Sequence, residues 1–86
     1  MRETRRFRGI SKRLAAHYLE NLGGERVDAD ADRIEGDGWH AELSTEVVDV
    51  AGSIRLTEVT VDFEGDAETL EPLVEQFAQK AMRAGG

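Results

Sequence analysis

Four groups of residues have types and spacing that could do chemistry. Gly85-Gly86 ends the sequence in an unbranched glycyl carboxylate. With no Cβ to clash, such a tail can thread a narrow channel and be adenylated there. Asp28-x-Asp30-x-Asp32 opens like a calcium loop, which then needs glycine at its sixth position and glutamate at its twelfth. Arg33 and Trp39 stand at those positions, so the tract reads as a solvated acidic loop. His40 and Glu42 lie two residues apart on one face of a strand, a spacing that suits metal ligation or a base and its orienter. No third ligand follows at a recognisable spacing, and the two read as an exposed cross-strand pair. Arg2, Arg5, Arg6, Arg8 and Arg13 form a basic contact surface at the N-terminus. Gly23-Gly24 and Gly36-x-Gly38 both have turn explanations, so neither requires a phosphate. The sequence calls for no catalytic residue, no cofactor and no metal, and the chain reads as non-enzymatic.

Composition narrows the classes further. The chain has 86 residues, enough for one modest core and a single α+β domain over residues 1–86. It has no cysteine, which removes disulfides, thiolate nucleophiles and Cys-ligated zinc together. No apolar run reaches the length that spans a membrane. Met1 to Arg8 is basic but lacks the apolar stretch of a signal peptide, so the cytoplasm is the expected compartment. Eighteen acids against eleven bases give a net charge of −7, and only Lys12 and Lys80 among the bases are lysines. Such an acidic, Lys-poor, Arg-rich domain resembles proteins of salt-accumulating halophiles. At molar salt the Debye length is about 3 Å, and surface charge then serves solvation more than steering.

The charge is also unevenly spread. Residues 1–13 carry six bases and one acid, a net +5, while residues 14–86 carry a net −12. The basic segment could meet nucleic acid, but domains that do so are usually basic overall. Its simpler role is to counterbalance seventeen carboxylates within the same fold.

These residues must be positioned by seven elements. Thr4 to Arg8 predicts a short edge strand, with arginines flanking Phe7 to deter pairing with another chain. Ser11 is a fitting helix N-cap. Leu14, Ala15, Tyr18, Leu19 and Leu22 follow at helical spacing, and Gly23-Gly24 ends the helix. His17 falls off the stripe. From Glu25 the period changes to two, with short strands at Glu25–Ala29 and Arg33–Glu35. The turn Gly36-Asp37-Gly38 then leads into a clear strand. There Trp39, Ala41 and Leu43 point one way, and His40, Glu42 and Ser44 the other. Val47 to Gly52 breaks the alternation and predicts a wide connection.

Ile54 and Leu56 then alternate on one parity, but Val59, Val61 and Phe63 continue on the opposite one. A β-bulge near Thr57-Glu58 would turn both halves toward one core. In the last helix Leu70, Leu73, Val74, Phe77, Ala78, Ala81 and Met82 make a continuous apolar stripe. Asp66 caps a helix that Pro72 kinks, or the helix begins near Leu70 with Pro72 in its first turn. The expected architecture is α+β in two layers: an antiparallel sheet with two helices on one face, in the order β-α-β-β-β-β-α.

The string Arg8-Gly9-Ile10-Ser11-Lys12-Arg13-Leu14-Ala15 and the following Gly-Gly carry a resemblance. So does the Glu58-Val59-Thr60-Val61-Asp62-Phe63-Glu64-Gly65 strand leading into a Leu/Val/Phe helix. Together they resemble the C-terminal accessory domain of proteins related to the molybdopterin synthase sulfur-carrier subunit, and the element order resembles that domain's TBP-like fold. The resemblance implies an accessory or binding domain acting through protein contacts. Its partners would be a sulfur carrier, its activating enzyme or molybdopterin synthase. The β-grasp half of those proteins is absent from this sequence, so carrier activity does not transfer with the resemblance. Two alternatives stand beside it: a carrier or modifier activated at Gly85-Gly86, and a nucleic-acid binder using the N-terminal arginines.

Overall fold

A computed structural model describes residues 1–30 and 32–85 of the chain. Its elements in order are β1 (Arg2–Arg8), α1 (Lys12–Asn21), β2 (Glu25–Arg26), β3 (Arg33–Gly36), β4 (Trp39–Ala51), β5 (Ile54–Gly65) and α2 (Ala67–Gly85). The strands form one antiparallel sheet in the order β1-β5-β4-β3-β2. This is the α+β, two-layer arrangement that the hydrophobic periods imply.

Local chemistry accounts for most of the boundaries. Leu14 donates its backbone N–H to the Ser11 hydroxyl at 3.0 Å, the expected N-cap. Gly23, at φ +102°, closes α1 in the left-handed region that glycine adopts without penalty. The β3–β4 hairpin turns on Asp37-Gly38 alone, since Gly36 pairs directly with Trp39. The helix α2 starts at once after the sheet, with Leu70 donating to the Asp66 carbonyl at 2.7 Å. Pro72 therefore lies inside the helix, which begins before Leu70.

The core fills the space between the helices and one sheet face. Ile34, Trp39, Ala41, Leu43, Val59, Val61 and Phe63 supply the sheet side. Ala15, Ala16 and Leu19 descend from α1, and Leu70, Leu73, Val74, Phe77 and Ala81 from α2. Phe77 is the hub. Its ring meets Phe7 at 5.1 Å, Phe63 at 5.6 Å and Tyr18 at 6.2 Å between centroids, each edge to face. Each such pair contributes about 0.5–1.5 kcal/mol beyond area burial. The α2 stripe is one residue shorter than its spacing suggests: Ala81 is buried but Met82 is exposed.

Three other expectations are corrected. The strand predicted at Glu25–Ala29 keeps only Glu25 and Arg26. The segment Val47 to Gly52 is not a wide connection, because β4 continues to Ala51 and turns tightly through Gly52 and Ser53 into β5. No bulge lies at Thr57-Glu58. The β4–β5 register runs unbroken from Trp39–Gly65 to Asp49–Arg55, and its one shift falls between Asp49 and Ala51. Ile54 and Leu56 consequently stay on the face away from the helices, and both are exposed.

That register leaves part of the β4–β5 hairpin standing free. The strand β1 pairs with β5 only as far as Glu58, and β3 pairs with β4 only as far as Glu42. Beyond those points the hairpin projects as an arm, and the molecule measures 42 × 25 × 20 Å along its principal axes.

At the opposite end, the indole of Trp39 lies over Gly36 and Gly24. A Cβ on Gly36 would overlap the ring atoms Cε2 and Nε1, and one on Gly24 would come within 2.8 Å of Cη2. Gly36→Ala should therefore destabilise the fold by about 1–3 kcal/mol, the usual cost of overpacking. Trp39 is the one tryptophan of the chain, so its displacement should shift the emission maximum toward longer wavelength. An unchanged spectrum and urea midpoint would show that the ring does not rest on this glycine.

Candidate functional site

The helices cover one face of the sheet and leave the other open. In β1, β4 and β5 the residues of even number share this open face, and Arg33 and Glu35 join them through their pairing with Glu42 and His40. The face carries Arg2, Thr4, Arg6 and Arg8 from β1, His40, Glu42, Ser44, Glu46 and Val48 from β4, and Ile54 through Glu64 from β5. It is polar where β1, β5, β4 and β3 lie side by side, and apolar along the arm.

The polar part is a lattice of ion pairs. Arg2 holds Asp62 with both ends of its guanidinium, Nε donating to Oδ1 at 3.0 Å and Nη2 to Oδ2. The Thr4 hydroxyl donates to the same Oδ1 at 3.2 Å. Arg8 donates to Glu58 at 3.1 Å, and Arg6 approaches the other carboxylate oxygen at 3.9 Å. This canopy leaves Glu58 buried on a face that no helix covers. Arg33 links Glu35 at 3.0 Å with Glu42 at 2.9 Å. His40 faces its cross-strand neighbour Glu64 at 3.6 Å rather than joining Glu42.

The five N-terminal arginines do not form one surface. Arg2, Arg6 and Arg8 share the open face and are paired with carboxylates there. Arg5 points to the helix side and bonds Glu3 at 3.2 Å. Arg13 lies on α1 beside Leu14, His17 and Arg26. In the acidic loop Asp32 receives Lys12, and its backbone N–H donates to the Asp28 carboxylate at 3.1 Å. Gly85 is the last residue of α2, so the backbone reaches it as helix. Gly86 lies outside the described residues.

The arm carries what the sequence reading missed. Val47 is 64% exposed, Val50 47%, Ile54 57% and Leu56 38%. Large apolar side chains scattered singly over a surface are ordinary, but these four lie together on one projecting element. Val48 pairs directly across from Leu56, and with Ile54 they make a continuous apolar patch on the open face. The signal was present in the sequence as a parity change at Thr57-Glu58, which a bulge and an outward-facing patch explain equally well.

The lattice has a measurable consequence. The hydrogen bonds from Arg2 hold the Asp62 carboxyl below the ordinary carboxylate range, against partial desolvation, with the Arg2 charge and the Thr4 hydroxyl adding to the effect. The Arg2 guanidinium is correspondingly held above its own ordinary value by the same bond. A carboxylate depressed on folding contributes stability above its unfolded pKa and loses it as the pH falls through the folded one. Urea unfolding of wild type and Asp62→Asn should then differ by about 0.5–1 kcal/mol near neutral pH, the scale of part-exposed ion pairs. The difference should close as the pH falls below the ordinary aspartate value of about 3.9. A gap that persists at low pH would show that the charge of Asp62 is not its source.

Among the described residues no helix is long and apolar enough to cross a membrane. No curated protein matches the chain. The family model of the archaeal MoaD-like protein matches residues 3–86, and the chain belongs to that family, which relates it to the sulfur-carrier proteins.

Proposed function

We propose that the chain is a non-enzymatic accessory domain of sulfur-carrier biology that acts in the cytoplasm by binding another protein through its open sheet face. The observation that carries this reading is the clustering of exposed apolar side chains on the arm. Ile54, Leu56 and Val48 supply an apolar centre. The ion pairs of Arg6 and Arg8 with Glu58, and of Arg2 with Asp62, supply a polar border beside it. An apolar centre with a polar rim is the common anatomy of a protein interface. The element order and family membership together support reading the chain as the accessory domain with a TBP-like fold. They also favour a sulfur carrier, its activating enzyme or molybdopterin synthase as the partner.

Affinity capture from the source organism, with the full chain as bait, tests the proposal. Wild type should recover at least one of those three proteins. The double substitution Ile54→Asp and Leu56→Asp should lower recovery about tenfold or more, as expected when a central interface anchor is lost. Both side chains are exposed in the free molecule, so the variant should retain its circular dichroism and urea midpoint. Recovery of none of the three proteins, or equal recovery by the variant, would remove the proposal.

A further inference from the structure

The fold protects its two outermost sheet edges, and of the two edges of the arm that of β5 beyond β1 is only four residues long and carries Arg55. The outer edge of β1 is flanked by arginines, and β2 is only two residues long, both ordinary means of discouraging strand addition. The edge of β4 beyond β3 has neither. From Ser44 to Ala51 it contains no lysine, arginine or proline, and Thr45, Val47, Val48 and Val50 are strong strand formers. Its bulge falls only at the tip, between Asp49 and Ala51.

The direction of the unused hydrogen bonds follows from the ladder. Leu43 donates its N–H across this edge to the Asp32 carbonyl at 2.8 Å. Alternate residues of an antiparallel strand turn both N–H and C=O to the same side. Thr45, Val47 and Asp49 therefore direct theirs outward, and among the described residues no backbone group meets them.

We propose that this edge pairs with the same edge of a second copy of the chain, antiparallel about a two-fold axis at Val48. The shape of the arm selects this occupant. The open edge runs from the end of β3 to the tip, about 25 Å at roughly 3.3 Å per residue, and the arm that would fill it has the same length by symmetry. With Val48 opposite Val48, Ser44 of one copy meets Gly52 of the other, and each tip stops just short of the other's β3. Sliding the copies to place Val47 opposite Val47 drives Gly52 onto Glu42, a position that Arg33 of β3 already occupies. A shift of a single residue in the pairing would put opposite faces together.

Charge agrees with the same register. Glu46 falls opposite Val50, and Asp49 opposite Val47, so no like charges meet directly. On the open face the side chains line up as Leu56, Val48, Val48 and Leu56 across the two copies. This pairing goes beyond the protein-partner reading and does not depend on it, because it uses the backbone edge of β4 rather than the side chains of Ile54 and Leu56.

Sedimentation equilibrium of the full chain at tens of micromolar, in low and in molar salt, should give twice the 9.5 kDa of one copy. Val47→Pro removes one outward N–H from each copy and should raise the dissociation constant about thirtyfold. Val47→Asp provides a second variant in case proline disturbs the strand: the side chain is already exposed, and the new carboxylate would stand opposite Asp49 of the other copy and weaken the pairing. The register has its own test, because the chain has no cysteine. Val48→Cys, at a non-hydrogen-bonded pair on the axis with Cα atoms about 4.5 Å apart, should oxidise with diamide to a covalent dimer. Val27→Cys, more exposed than Val48 but away from the arm, should not. A chain that sediments as a monomer throughout overturns the proposal and leaves the edge to a foreign strand. So does cross-linking of Val48→Cys no faster than that of Val27→Cys.

Discussion

The unbroken register between β4 and β5 is the constraint from which the rest of this structure follows. From Trp39–Gly65 to Asp49–Arg55 the two strands pair without a shift. Because side chains alternate with a period of two, this single register assigns every residue of both strands to one of two faces. Trp39, Ala41, Leu43, Val59, Val61 and Phe63 fall on one side and must be covered, and α1 and α2 cover them. Phe77 then meets Phe63 from above and Phe7 from the edge strand, joining β1, β5 and α2 in one cluster. A slip of one residue would exchange this core for the row of carboxylates behind it.

The other face inherits the consequences. It receives Glu42, Glu46, Glu58, Asp62 and Glu64, too many acids to stand beside one another unmatched. Here β1 has its second role. By pairing Arg2 with Glu64 and Arg8 with Glu58 along the backbone, it brings Arg2 over Asp62 and Arg6 and Arg8 over Glu58. The buried Glu58 makes the point most clearly, since a carboxylate out of water without its partners would cost several kcal/mol. The basic N-terminal segment is thus an internal counterweight within the sheet. Its positive charge is largely spent before any external partner approaches.

The legible parts of the sequence were those whose signals are local. The Ser11 cap, the turn at Gly36-Asp37-Gly38, the helix stripes as far as Ala81 and the alternation from Trp39 to Ser44 each depend on neighbours a few residues away, and these reappear in the fold. The pairing of Arg2 with Asp62 was invisible, because it joins residues sixty positions apart and exists only once β1 has found β5. The arm was misread for a different reason. The rule that apolar side chains seek the core runs in one direction only, and applying it to Ile54 and Leu56 required a bulge that the chain does not contain. Met82 failed in the same way at the end of α2. Of the two tail glycines, helix reaches Gly85 and Gly86 lies outside the described residues.

A bulge at Thr57-Glu58 would have been the cheaper way to gain stability. Turning Ile54 and Leu56 inward would contribute about 1.5–3 kcal/mol for each side chain fully buried. It would also displace Glu58 from Arg8, shift β5 against β1, and shorten the arm that now projects past both neighbours. The chain instead keeps the register straight to Asp49–Arg55, where the two charges of the last pair also meet at 3.1 Å. Straightness leaves four large apolar side chains in water and a run of backbone donors and acceptors without partners. Neither feature stabilises the isolated molecule. Both become favourable only when another surface covers the face or another strand completes the edge, which makes the arm the part of this fold whose stability is realised through contact.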